Sequence, residues 1–212
     1  MKINDNSLLL YAVTDRTWLD GDSLENQVEL AVNNGVTFLQ LREKDLDFDE
    51  FVGLAKRIKI LAEKVSIPFV INDNIDVAIA SGADGVHLGQ DDISADKARE
   101  ILGDNKIIGI SVQTVEDAVL AKKKGADYLG VGAVFSTSTK LDASDVSFET
   151  LREICNAVSI PVVAIGGINK ENILQLKGSG IDGVAVVSAI FAQKNIENAT
   201  KNLVKLCREV VN

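Results

Sequence analysis

A chain of 212 residues that is 46% hydrophobic is long enough to bury one sizeable core and too apolar to be disordered. With 31 acidic against 22 basic side chains its net charge is −9, which repels nucleic acid and anionic membrane in general, so any anionic ligand must be held by a local cluster of cations or backbone N–H groups. No apolar run approaches the length of a membrane span, and the polar first six residues lack the basic-then-apolar pattern of an export signal, so the expectation is one soluble, cytoplasmic domain over residues 1–212.

Residues 8–13 (LLLYAV) form a continuous apolar run closed by Thr14 and Asp15, the pattern of a strand buried on both faces. Ser23 reads as a helix N-cap, with Leu24, Val28 and Ala31 at helical spacing and Gly35 as the stop. Residues 38–44 (FLQLREK) follow as a strand whose alternation puts Gln40, Arg42 and Lys44 on one side and Leu39, Leu41 and Glu43 on the other. Between 49 and 65, Phe51, Leu54, Ala55, Ile58 and Leu61 trace a helical stripe that Ser66-Ile67-Pro68 breaks. A strand at 69–71, a short helix and a strand at 85–88 make a parallel βαβ unit; Asn72 and Asp73 end its first strand, and Gln90, Asp91 and Asp92 follow its second. Ser94 opens a helix that runs to about Gly103, leading into a strand at 107–111. A helix from Thr114 to Gly125 precedes a strand at 128–134. The polar stretch 135–145 is the candidate lid or ligand loop. Then come a helix near 147–158, a strand at 162–165, Gly166-Gly167, a helix at 169–178, a strand at 183–187, a short helix opening at Ser188, and a C-terminal helix at 195–210. Cys155 and Cys207 lie in helical patterns without CxxC spacing and read as small core residues.

Eight strands alternating with helices, at about 26 residues per unit on even division, fit a single (β/α)8 TIM barrel of the α/β class. A repeat supports closure. Gly35-Val36-Thr37, Gly82-Ala83-Asp84, Gly125-Ala126-Asp127 and Gly180-Ile181-Asp182 all precede even-numbered strands, and Ser-Ile-Pro precedes the third and seventh. A period of about 45 to 55 residues suits a ring of quarter-barrels better than an open flavodoxin-like or Rossmann sheet, and no GxGxxG occurs.

In a parallel barrel the loops after the strands share one face, which gathers the candidate chemistry. Asp73 and Asp92 suit Mg²⁺, which takes one or two protein carboxylates and completes its shell with water and phosphate. Arg42, Lys44 and Lys140 would neutralise the remaining oxygens of a diphosphate. A second anion site combines Gly166-Gly167 with Val187 and Ser188, the usual phosphate position of these barrels. The plainer alternatives are solvated strand-end charges for the first and a tight turn for the second. His87, the one histidine, reads as a buried, hydrogen-bonded ring at least as readily as a general base.

The motifs QLREK at 40–44, IND at 71–73, HLGQDD at 87–92, GIS at 109–111, TSTK at 137–140, GGI at 166–168 and VS at 187–188 resemble those of the thiamine phosphate synthase family, in its order and over nearly the whole chain. The resemblance implies a Mg²⁺-dependent transferase that joins 4-amino-2-methyl-5-hydroxymethylpyrimidine diphosphate to a thiazole phosphate, or its carboxylated form, giving thiamine monophosphate and pyrophosphate. Carried over residue by residue, Gln40, Leu41, Arg42, Glu43, Lys44, Asn72, Ser111 and Lys140 hold the pyrimidine diphosphate, with Arg42, Lys44, Ser111 and Lys140 as the catalytic set. Asp73 and Asp92 hold the metal, and Thr137, Ser138, Thr139, Gly167, Val187 and Ser188 hold the thiazole phosphate. The family's route, dissociation to a pyrimidine methyl cation captured by the thiazole nitrogen, matches a chain with no evident general base. The expected partners are these small molecules, not nucleic acid or membrane; the oligomeric state is left open. Two alternatives are a thiazole tautomerase-like enzyme, a branch that lacks the full carboxylate pair and TxTK loop, and a non-catalytic phosphate-ligand binder, which leaves Asp73, Asp92 and Lys140 without a task.

Overall fold

A strand that is apolar at every position needs a cover on both faces, and here the covers are the interior of a barrel and a ring of helices. In the computed structural model, which describes residues 3–4, 6–136 and 146–211, β1 (Leu10–Val13), β2 (Phe38–Leu41), β3 (Phe69–Asn72), β4 (Gly85–Leu88), β5 (Ile107–Val112), β6 (Tyr128–Val131), β7 (Val162–Ile165) and β8 (Gly183–Val186) pair in parallel in chain order. β8 returns to β1, with Tyr11 level with Ala185, and closes the barrel. The (β/α)8 architecture is therefore the observed one, and an open sheet is excluded.

Alternation sorts the side chains. Tyr11, Val13, Phe38, Val70, Ile107, Tyr128, Val163 and Ala185 fill the interior, while Leu10, Ala12, Leu39, Leu41, Ile71 and Leu88 pack outward beneath the helices. Room for the rings comes from Gly109 on β5, where a Cβ would sit 2.1 Å from the Tyr128 ring.

The helices α1 (Leu24–Asn33), α2 (Phe48–Lys64), α3 (Ile75–Ser81), α4 (Ala95–Leu102), α5 (Val115–Lys123) and α6 (Phe148–Ala157) follow β1 to β6, and a short α7 (Ser188–Phe191) and a long α8 (Ile196–Val211) follow β8. Side-chain oxygens of Ser23, Asp47, Asn74, Thr114 and Ser147 accept first-turn N–H groups and fix where α1, α2, α3, α5 and α6 begin. Ser94 occupies the cap position of α4 without such a bond. No helix among the described residues is long and apolar enough to cross a membrane.

β1 begins at Leu10 rather than at Leu8 and β6 ends at Val131 rather than at Val134, and two further elements depart from the sequence reading. β2 ends at Leu41 rather than at Lys44, because the N–H of Arg42 turns to Thr14 Oγ1 at 3.0 Å and leaves the ladder. The helix expected over 169–178 is a 3-10 turn, Ile173–Leu176. Asparagine side chains compete for that backbone: Asn169 Oδ1 accepts from Glu171 N, Asn172 Oδ1 from Asn169 N, and Asn172 Nδ2 donates to Gly167 O.

The repeat ahead of the even strands has a structural task. Each copy ends in a side chain that accepts an N–H at the start of the preceding odd strand: Thr37 Oγ1 from Leu10, Asp84 Oδ2 from Phe69, Asp127 Oδ2 from Ile108 and Asp182 Oδ2 from Val162, at 2.8 to 3.0 Å. These clamps lock the amino-terminal end of the barrel and leave the carboxyl-terminal rim to the loops.

Candidate active site

At the rim, β3 and β4 run side by side with Asn72 level with His87. Asp73 follows at φ +61°, a left-handed conformation that aspartate tolerates through local hydrogen bonds. Its N–H donates to His87 O at 2.9 Å, and its Oδ2 accepts from Asn72 Nδ2 at 2.6 Å. Beyond β4 the chain folds back so that Asp92 Oδ2 accepts from Gly89 N at 2.7 Å. Adjacent strand tips thus present two exposed carboxylates, each anchored by a local bond. That donor set fits Mg²⁺, for which one or two carboxylates with water and phosphate oxygens suffice. Among the described residues no group of three or more His, Cys, Asp or Glu side chains forms a denser metal cluster.

The chain leaving β2 carries the cations. Arg42 is half-buried, with Nη1 3.5 Å from Asp15 Oδ2, and Lys44 is exposed. Glu43 turns the other way, and both its carboxylate oxygens accept from Arg16 Nε at 2.8 Å. The Glu43 side chain is only 3% exposed, and burial pushes its carboxyl above the usual range although Arg16 pulls it down. Leu41 is fully buried against the helices, so only its backbone reaches the rim.

Below the rim, polar side chains cross the interior in one chain. Gln40 Nε2 donates to Tyr11 Oη, Tyr11 and Tyr128 hydroxyls lie 2.8 Å apart, Tyr128 Oη is 2.9 Å from His87 Nδ1, and His87 Nε2 is 2.9 Å from Ser111 Oγ. Gln40, Tyr11, Tyr128 and His87 are buried, so His87 is the hydrogen-bonded core histidine of the plainer reading. Gln90 Nε2 donates to Ser111 O and ties the loop after β4 to the tip of β5.

On the far side of the mouth, Gly166 and Gly167 follow β7 at φ +100° and +64°. The segment after β6 lies over them: Val134 N donates to Ile165 O at 3.0 Å and Phe135 N to Gly166 O at 3.1 Å. A Cβ on Gly167 would sit 2.5 Å from Ser136 O, so a side chain there would push that segment away. Val187 and Ser188, both half-buried, lead from β8 into α7.

Comparison with known proteins gives this rim a context. Residues 10–190 match the family model described as thiamine monophosphate synthase. The chain belongs to the thiamine monophosphate synthase family. It is 50% identical to the thiamine-phosphate synthase of Clostridium tetani over 92% of this chain and 93% of the relative, and 52% identical to that of Ruminiclostridium cellulolyticum over 93% and 94%. The solved thiamine phosphate pyrophosphorylase from Pyrococcus furiosus superposes with a TM-score of 0.91 at 41% identity, covering 98% of this chain and 99% of that one.

Set against the residues that the resemblance to thiamine monophosphate synthases singled out, Gln40, Asn72 and Ser111 share the inward faces of β2, β3 and β5 with Phe38, Val70 and Ile107. Arg42, Glu43, Lys44, Asp73 and Asp92 stand in the loops just beyond, and Gly167, Val187 and Ser188 at the tips of β7 and β8. Thr137, Ser138, Thr139 and Lys140, with most of the 135–145 loop, lie outside the described residues. Sequence reasoning missed Asp15 and Arg16, which hold the two sides of the QLREK loop, and the two tyrosines. The signal for the latter was present: these are the only tyrosines in the chain, and both hydroxyls fall inside apolar strands, where each needs a partner.

Proposed function

We propose that this chain joins 4-amino-2-methyl-5-hydroxymethylpyrimidine diphosphate to 4-methyl-5-(2-hydroxyethyl)thiazole phosphate and releases thiamine monophosphate and pyrophosphate, with CO2 as a third product when the carboxylated form of the thiazole is the acceptor. The observation that carries this reading is similarity to thiamine-phosphate synthases over more than nine-tenths of both chains, at about half of all positions.

With the uncarboxylated thiazole the bond exchange itself moves no proton. The methylene C–O bond breaks with its electron pair leaving on pyrophosphate, and the thiazole nitrogen lone pair forms the new C–N bond to the methylene cation. What the protein must supply is charge stabilisation and alignment. Arg42 and Lys44, with Lys140, would stabilise the growing charge on the departing diphosphate, and Ser111 and the Asn72 amide would orient it. Asp73 and Asp92 would hold Mg²⁺, which when bound supplies further neutralisation of phosphate oxygens. Gly167, Val187 and Ser188, with Thr137, Ser138 and Thr139, would hold the thiazole phosphate across the mouth from the diphosphate.

Purified protein incubated with both substrates and Mg²⁺ should form thiamine monophosphate and pyrophosphate in equal amounts, separable by chromatography. Chelation of the metal should stop the reaction and added Mg²⁺ should restore it. Binding of both substrates without product would replace the transferase reading with that of a phosphate-ligand binder.

A further inference from the structure

The hydrogen-bonded chain through the barrel connects two residues of the proposed pyrimidine diphosphate site, Gln40 on β2 and Ser111 on β5, across the interior. We infer that Tyr11, Tyr128 and His87 are positioning residues forming a one-way relay that holds His87 as its Nε2–H tautomer and leaves the Ser111 hydroxyl proton free to donate to the substrate in the mouth. This rests on the reading of Ser111 as a contact of the pyrimidine diphosphate.

The direction follows from counting protons. The Gln40 amide nitrogen can only donate, so Tyr11 Oη accepts there. Tyr11 has one proton of its own, and among the described residues the acceptor it meets is Tyr128 Oη. Tyr128, having accepted, directs its proton to His87 Nδ1, and the ring proton therefore sits on Nε2 and goes to Ser111 Oγ. Ser111, having accepted from the ring, has its own proton left for the mouth. The opposite polarity, with this amide orientation, would bury the Tyr11 O–H without an acceptor and forfeit its solvation. Turning the Gln40 amide over would reverse every bond and put the ring proton on Nδ1, which makes the tautomer the test.

Packing and acidity keep the relay in place. The Tyr11 and Tyr128 rings lie 5.9 Å apart between centroids and Tyr128 and His87 5.4 Å, with Phe38 against both tyrosines at 4.6 and 5.4 Å. Burial holds both phenols far above their ordinary range, so they stay protonated donors at working pH.

Because His87 is the only histidine, a long-range ¹H–¹⁵N spectrum of tag-free, ¹⁵N-labelled protein reports this ring alone. At neutral pH it should show a protonated Nε2 and a bare Nδ1; a protonated Nδ1, alone or together with Nε2, overturns the relay. Tyr128→Phe removes the donor to Nδ1 and should mix the tautomers, and an unchanged spectrum in the folded variant also overturns it. The wild-type spectrum decides the direction even if that variant does not fold. In steady-state assays Tyr128→Phe and Ser111→Ala should each lower kcat/KM for the pyrimidine diphosphate about tenfold, and the double variant should lose no more than Ser111→Ala alone. Multiplying losses, about a hundredfold, would overturn the coupling to Ser111. Absence of any turnover by the wild type, with the Nε2–H signal present, would uphold the relay and remove the substrate reading instead.

Discussion

Asp92 is exposed, and its carboxylate is anchored by the Gly89 N–H, so truncating it asks little of the fold while it removes half of the carboxylate pair. Asp92→Ala should lower Mg²⁺-dependent turnover at least about tenfold, with unfolding free energy within about 1 kcal/mol of the parent; unchanged turnover would take Asp92 out of the metal site. Glu43 is the opposite case, a carboxylate whose burial raises its pKa and whose counter-ion Arg16 opposes that rise. A folded-state carboxyl with a raised pKa binds protons that the unfolded chain has already lost, so its contribution to stability falls as pH rises from the unfolded value through the folded one. Removing Arg16 widens that interval. Arg16→Ala should therefore cost little near pH 4 and roughly 1 kcal/mol at pH 7, read from urea midpoints at the two pH values; equal losses at both would show that the pair does not act through the Glu43 charge. Gln40 was legible in the sequence as a candidate because strand alternation assigns it a face, and Asn72 and Ser111 because they end apolar strands. Asp15 and Arg16 were not, since what they do depends on where a different strand ends.

At the scale of elements, the repeated Gly-x-Asp was visible in the sequence, but its task was not, because each acceptor meets an N–H on the preceding strand. Asp127 shows the arrangement most fully: Oδ2 accepts from Ile108 N at 2.8 Å and from Arg99 Nη2 at 2.7 Å, while Arg99 also donates to the carbonyls of Gly103, Lys106 and Gly125. Asp127→Ala removes the side-chain acceptor of the Ile108 N–H at the start of β5 and takes from Arg99 its carboxylate partner, leaving it the three carbonyls. It should lower stability by about 1 to 3 kcal/mol while kcat/KM stays within about twofold, since the clamp sits at the end of the barrel away from the mouth. A large loss of activity at full stability would mean that the two ends are coupled. The helix misread over 169–178 has the same origin as the hidden clamp: asparagine side chains bonding to nearby backbone outweighed apolar spacing, a competition that periodicity does not register.

For the whole molecule, everything depends on β8 finding β1. Alternation, strand spacing and the repeat pointed to a closed ring, but no local pattern encodes the seam, which is made by residues at opposite ends of the chain. The structure shows what lets it close. A Cβ on Gly183 would lie 1.7 Å from Leu8 O, and half a turn around the barrel a Cβ on Gly85 would lie 1.9 Å from Ile107 O. In both places the obstacle is backbone, which cannot rotate away as a side chain would. Gly183→Ala must therefore spread β8 from β1, exposing two strand edges and the interior rings. It should cost more than about 3 kcal/mol in urea unfolding. Gly21→Ala is the control: φ is +88° there, but a Cβ meets nothing within 4 Å, so the cost should be only the conformational one, about 1 kcal/mol. Similar losses for the two would mean that the seam tolerates separation, and the rim could then no longer be treated as one rigid ring aligning Asp73 beyond β3 with Ser188 beyond β8.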